Sequence, residues 1–186
     1  MGGPCEIKGV AFHTFFQAVG ELRGEAAVAR TRAELAPELR EKLRLGAISR
    51  VGYYPLGTYG ELHAAAQRAL HGGEAFARDL GRKTAEIDTR GLLRFVLGLT
   101  STDLLVRHAD KVWASFARGA RVHAEKLHPR RYAVRFDGFW EASELVLTEL
   151  EGALSTLVER TGAVDPVVRH SRDREGATVN YIVEWS

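Results

Sequence analysis

Between Thr100 and Ser186 the spacing of apolar residues changes from about 3.6 to about 2, returns to 3.6, and becomes 2 again for two further segments. A chain with that order must pack helices against strands, because each period exposes one apolar face that only another element can cover. The first segment predicts one helix over Asp103–Leu127, with Leu105, Ala109, Val112, Phe116, Ala120, His123 and Leu127 on one stripe and Trp113 on its shoulder. Arg107, Asp110, Lys111, Arg118, Arg121 and Glu125 fall on the opposite side. Thr100 or Ser101 can cap its start, Asp103 suits the positive end of the helix dipole, and Pro129 ends the run.

Tyr132, Val134 and Phe136 then alternate with Ala133, Arg135 and Asp137, as in a strand with one buried face, and Asp137-Gly138 turns the chain. A second helix is predicted from Trp140 to Arg160, with Val146, Leu147, Leu150, Ala153, Leu154, Leu157 and Val158 inward and Glu141, Glu144, Thr148, Glu149, Glu151 and Glu159 outward; Gly162 follows as its stop. That acidic side reads as a solvated face or as a docking surface. Val167–Ser171 and Ala177–Trp185 read as a hairpin around the polar turn Arg172–Gly176, with Val179, Tyr181, Val183 and Trp185 on one face.

The first 99 residues read as several short helices packed on this module. Residues Glu6–Phe12 form a strand or an extended lead-in, and Phe12, Phe15, Phe16, Val19 and Leu22 recur at helical spacing. Glu25–Leu35 is helical by its alanine content, and Pro37 suits the first position of the next helix. Val51–Gly60, with Gly52, Pro55, Gly57 and Gly60 around Tyr53, Tyr54 and Tyr59, reads as a connector. Further helices are predicted over Tyr59–Leu70, Glu74–Lys83 and Arg90–Leu99. The predicted fold class is α+β: an N-terminal helical part, 1–99, and a module of helix, strand, helix and hairpin, 100–186, built on a small antiparallel sheet.

A content of 45% hydrophobic and 27% charged residues supports a substantial core. With a formal charge of only +2 and basic residues spread among comparable acid, composition makes no case for nucleic acid. The single cysteine, Cys5, excludes an internal disulfide framework and a Cys-x-x-Cys zinc site, and it suits a reducing cytoplasm. Cys5 reads as an incidental thiol. No apolar run approaches the roughly 20 residues of a membrane span, and no signal-peptide pattern opens the sequence.

Motifs of catalysis are scarce. Gly60-Glu61-Leu62-His63 lacks a second histidine at metal-binding spacing, and neither a phosphate loop nor a Gly-x-Ser-x-Gly elbow is present. The expectation is a non-enzymatic sensory or regulatory domain without a cofactor. His123, on an apolar helical stripe, reads either as a core histidine or as an axial ligand to haem iron. The aromatic residues Trp113, Phe116, Phe136, Trp140 and Tyr181 lie on elements that pack together, and small residues such as Ala109 and Ala120 lie between them. They read as core, or as the lining of a cavity between helix and sheet that takes a small apolar or aromatic molecule or a lipid chain. Val122 and Leu145, outside their stripes, give an alternative role in self-association.

Ile7-Lys8-Gly9, Tyr53-Tyr54-Pro55, Glu61-Leu62-His63-Ala64-Ala65, Gly81-Arg82 and the closing Val183-Glu184-Trp185-Ser186 resemble an uncharacterised protein family expanded in myxobacteria, nearly from end to end. More distantly, the order helix, strand, helix, hairpin resembles the ligand-binding superfamily of 4-vinyl-reductase domains, haem-dependent nitric-oxide-binding domains and TRAPP vesicle-tethering subunits. Resemblance to TRAPP subunits implies docking of a small GTPase or a homodimer. The chain departs from each branch: Thr178 and Asn180 stand in the region where 4-vinyl-reductase domains often carry cysteines, no Tyr-x-Ser-x-Arg haem-propionate motif is present, and no buried-cysteine acylation site like that of some TRAPP subunits is evident, since Cys5 lies outside the expected fold.

Overall fold

The computed structural model describes residues 4–90, 101–139 and 141–186. The N-terminal part runs β1 (Glu6–Lys8), α1 (Gly9–Arg23), α2 (Glu25–Ala33), α3 (Pro37–Arg44), β2 (Tyr53–Pro55), α4 (Leu56–Leu70) and α5 (Gly73–Arg90). The C-terminal part runs α6 (Thr102–Arg107), α7 (Ala109–Ala114), β3 (Ala117–Arg118), β4 (Arg121–His128), β5 (Arg131–Asp137), α8 (Glu144–Glu159), β6 (Val167–Arg172) and β7 (Thr178–Glu184). The α+β class is as predicted, and every strand pairing among the described residues is antiparallel.

The phenylalanine-rich α1 buries Phe12, Phe15, Phe16 and Val19, as its spacing requires. Pro37 occupies the first turn of α3, where its missing N–H costs nothing. The segment read as a connector instead contains β2, which pairs with β1 (Ile7 opposite Tyr54), while β3 pairs along the other edge of β1 (Ile7 opposite Ala117). Segments of two or three residues carry no readable alternation, so this small sheet β2-β1-β3 is a product of tertiary pairing. Cys5 belongs to the core rather than lying outside the fold: it is buried, and burial pushes its thiol up to about 12. The predicted helix over Arg90–Leu99 lies, apart from Arg90 in α5, outside the described residues.

The largest departure is at Asp103–Leu127. A single helix was expected; the chain instead makes α6 and α7, broken at His108, and then turns into strand. Ser101 caps α6 as predicted, its hydroxyl accepting from Leu104 N at 3.3 Å. Gly119, at φ 91°, adopts a backbone that ends helical geometry and favours glycine. Beyond it β4 alternates, with Val122 opposite Phe136 and Ala124 opposite Val134, so Val122 and Ala124 pack on the core. Val122 is therefore part of the interior packing rather than an exposed apolar flank, and Leu145 is half-buried. A local helical spacing gave way to a full β ladder with β5, the kind of tertiary override to which short segments are prone.

The larger sheet has the order β4-β5-β7-β6, with Tyr132, Val134 and Phe136 of β5 and Val179, Tyr181 and Val183 of β7 on its buried face. Across that face runs α8, which begins at Glu144 under a Ser143 cap; Trp140, placed in the helix by the sequence, lies outside the described residues. α8 is sandwiched between the sheet and α5. Its acidic side is solvated only in part: Thr148, Glu149 and Glu151 are buried, whereas Glu141, Glu144 and Glu159 are exposed. Two glycines explain how. A Cβ on Gly81 of α5 would stand 1.8 Å from Glu149 O, and one on Gly152 of α8 would stand 2.0 Å from Arg78 O, so the two backbones touch where neither residue has a side chain. Among the described residues no helix is long and apolar enough to cross a membrane.

Candidate functional site

An apolar cavity of about 170 Å³ lies where the helices meet the larger sheet. Its walls come from α1 (Ala11, Thr14), α4 (Leu56, Tyr59), α5 (Thr84, Asp88), α6 and α7 (Leu105, Trp113), β4 and β5 (Val122, Phe136) and α8 (Leu150, Leu154). Along α8 the lining extends from Val146 to Val158, which is about 18 Å at 1.5 Å per residue. The volume is close to the roughly 150 Å³ of an apolar cavity known to stay dry and accept benzene.

Of the aromatic residues singled out in the sequence, Trp113, Phe116 and Phe136 line this cavity. The Trp113 ring meets Phe136 at 5.0 Å and Phe139 at 5.4 Å, both edge to face. Tyr181 stands behind the lining: it is fully buried, packs on Phe136 at 5.5 Å, and its hydroxyl donates to Leu147 O at 3.2 Å. Trp140 falls outside the described residues. Ala109 lines both the cavity and an outer groove between α7 and β4, whereas Ala120 lines the groove alone.

His123 is not on an apolar helical stripe. It sits on the edge strand β4 with its side chain 61% exposed, 3.7 Å from Asp137 Oδ2, and it lines the outer groove with Arg107 and Arg121. The cause is the helix-to-strand change at Gly119, which turns every second residue of β4 outward.

Polar groups enter the cavity wall in pairs that sequence spacing did not reveal. Tyr59 donates its hydroxyl to Glu149 Oε1 at 2.8 Å, and His63 Nε2 meets Glu149 Oε2 at 2.8 Å, so both oxygens of this buried carboxylate are engaged. Burial and the neighbouring carboxylate push the Tyr59 phenol well above its ordinary value and keep it neutral. Thr14 donates to Asp88 Oδ1 at 3.1 Å. Burial raises the Asp88 carboxyl from 3.8 to about 6; the Thr14 hydrogen bond opposes this, Glu149 reinforces it, and Arg50 opposes it. Tyr132 donates to the Asp103 carboxylate and stacks on Trp185 at 5.4 Å, tying α6 to β5 at the cavity's rim. The one readable hint was the i, i+4 placement of Tyr59 and His63 on α4. Their shared partner, 86 residues from His63 in the chain, had no local signal.

The lining can be tested for haem. Among the described residues it contains no histidine, cysteine or methionine to reach iron, and no lysine or arginine to pair with propionates. Its tyrosines, Tyr59 and Tyr132, already donate to carboxylates. On β5, Tyr132, Val134 and Phe136 line the cavity and bring no cationic group to it. A porphyrin is also many times larger than benzene. The described lining residues do not fit haem.

No family model and no curated protein matches the chain. Solved structures do. The Fe(II) unliganded H-NOX protein from K. algicida superposes with a TM-score of 0.69 at 12% identity over 96% of both chains. A single-substitution form of Tt H-NOX gives 0.68 at 11% identity, covering 96% of this chain and 95% of that one. An oxygen-binding H-NOX domain related to soluble guanylate cyclases, in its oxygen complex, gives 0.68 at 10% identity, again over 96% of this chain and 95% of that one. Of the superfamily branches named from the sequence, these belong to the haem-dependent nitric-oxide-binding one. From end to end, the chain has the fold of H-NOX domains.

Proposed function

We propose that this chain is a non-enzymatic sensory or regulatory domain that holds a small apolar or aromatic molecule between its helices and its sheet. The observation that carries the reading is the apolar cavity of about 170 Å³ walled by Trp113, Phe116 and Phe136. A scaffold without a ligand gains by filling such a space, since empty apolar volume costs about 24 cal/mol per Å³. The H-NOX fold supports a sensory role by analogy, because the similar structures include an oxygen-binding domain. The lining supports an organic ligand over haem. The polar pairs Tyr59–Glu149 and Thr14–Asp88 are mutually satisfied and present no nucleophile with an accompanying base.

Native mass spectrometry of purified protein, combined with indole fluorescence during titration with small aromatic compounds, tests the reading. A co-purified organic molecule or a saturable fluorescence change supports it. Silence in both measurements would overturn it, as would a stoichiometric Soret band on adding haemin. Turnover of a substrate, abolished by a single point substitution, would overturn the non-enzymatic part.

A further inference from the structure

Among the described residues, Trp113, which lines both the cavity and the outer groove, carries a buried ring nitrogen that finds no partner. Trp113 Nε1 has no acceptor within reach, although the indole N–H is a donor only and buried donors in native structures are overwhelmingly paired. The centroids of the Phe136 and Phe139 rings stand 5.0 and 5.4 Å from that of the Trp113 ring, so a planar apolar group beside Trp113 meets aromatic partners.

Charge narrows the class. The ionisable acids of the lining are Asp88 and Glu149, and among the described residues no cationic side chain accompanies them. An anionic ligand would lie among carboxylates in an apolar enclosure without a counter-charge. A cationic ligand fares little better, because Glu149 already accepts from Tyr59 and His63, and Asp88 accepts from Thr14 with Arg50 nearby. Taking the ligand-binding reading above as its basis, we propose that the occupant is a small uncharged aromatic molecule carrying an oxygen acceptor, such as an aryl ketone, aldehyde or ether. Its oxygen accepts from Trp113 Nε1.

Three probes of similar size separate the possibilities: ethylbenzene, acetophenone as its carbonyl counterpart, and benzoate as an anion. Each is titrated calorimetrically into the full chain, as wild type and as Trp113→Phe, which keeps a ring and removes the donor. The expected result is that Trp113→Phe weakens acetophenone about tenfold, the value of one neutral hydrogen bond. Ethylbenzene meets the ring without the N–H, so its loss should be severalfold smaller than that of acetophenone, and its binding also shows that the variant is folded. Benzoate should bind neither protein. In the wild type, the Trp113 indole N–H proton resonance should move downfield with acetophenone and stay in place with ethylbenzene, a measurement that needs no stable variant. Equal effects of the substitution on acetophenone and ethylbenzene, an indole proton indifferent to acetophenone, or benzoate binding as tight as acetophenone would each overturn the proposal while leaving the cavity reading intact. Failure of both uncharged probes to bind the wild type would overturn both.

Discussion

Replacing Gly152 by alanine should destabilise the protein, even though alanine is the better helix former. At an exposed helical site the exchange gains about 1 kcal/mol. Here the new Cβ would stand 2.0 Å from Arg78 O and 2.9 Å from Arg82 N, against an ordinary contact that begins at 3.4 Å. Both obstacles are backbone of α5, so no side chain can rotate away, and the two helices must part by well over an ångström. Overpacking of this kind costs about 1–3 kcal/mol, occasionally more. Parting α5 from α8 also disturbs Glu149, whose bonds to Tyr59 and His63 are both 2.8 Å, and a hydrogen bond to a charged group contributes about 1.5–3 kcal/mol. The net loss should be about 2–3 kcal/mol, a fall in Tm of about 5–10 °C for a chain of this size. Thermal unfolding followed by circular dichroism reads this directly. Gly81→Ala, whose Cβ would meet Glu149 O at 1.8 Å, should behave alike. The double variant should lose less than the sum, because one separation relieves both clashes. A Tm that rises by a few degrees in Gly152→Ala would show helix propensity to dominate and refute the close-approach argument.

Two further predictions concern titratable groups in the core. Because the folded Asp88 carboxyl titrates at about 6 rather than 3.8, the native state binds the proton more tightly than the unfolded state. Its contribution is then fully present below about pH 4 and is lost as the pH rises through about 6, by up to about 3 kcal/mol. Asp88→Asn should therefore gain stability relative to wild type between about pH 4 and pH 7.5 in urea titrations, and a pH-independent difference would sink the assignment. Cys5, buried and held up to about 12, should resist Ellman's reagent in native protein at about pH 8 and react promptly in denaturant. Prompt native labelling would place it outside the core.

The strands β5, β6 and β7, the helices α1 and α8, and the antiparallel α+β class follow from local periodicity. In each, one run of apolar residues faces one layer, and the pattern in the chain is the pattern in space. Tyr132, Val134 and Phe136 are the clearest instance. The same logic failed at Arg121–His128, where Ala120, His123 and Leu127 fit a helical stripe by coincidence and the pairing of β4 with β5 decided otherwise. It failed in part for the acidic side of α8, where Glu149 and Glu151 are buried while Glu144 and Glu159 stay exposed, because charge alone does not reveal which part of a helix a second element covers.

The candidate site divides along the same line. The sequence by itself pointed to Trp113, Phe116 and Phe136 as core or cavity lining; Phe136 is buried, and Trp113 and Phe116 are half-buried against the core. What surrounds that interior was decided by tertiary structure. The α5–α8 contact through Gly81 and Gly152 brings Glu149 to Tyr59 and His63. The turn at Gly119 moves His123 outward, and the packing of α7 on the sheet leaves Trp113 Nε1 without an acceptor among the described residues. Hydrogen-bond partners and voids depend on the distances between elements remote in the chain, and those distances are set by packing rather than by the period of any one segment.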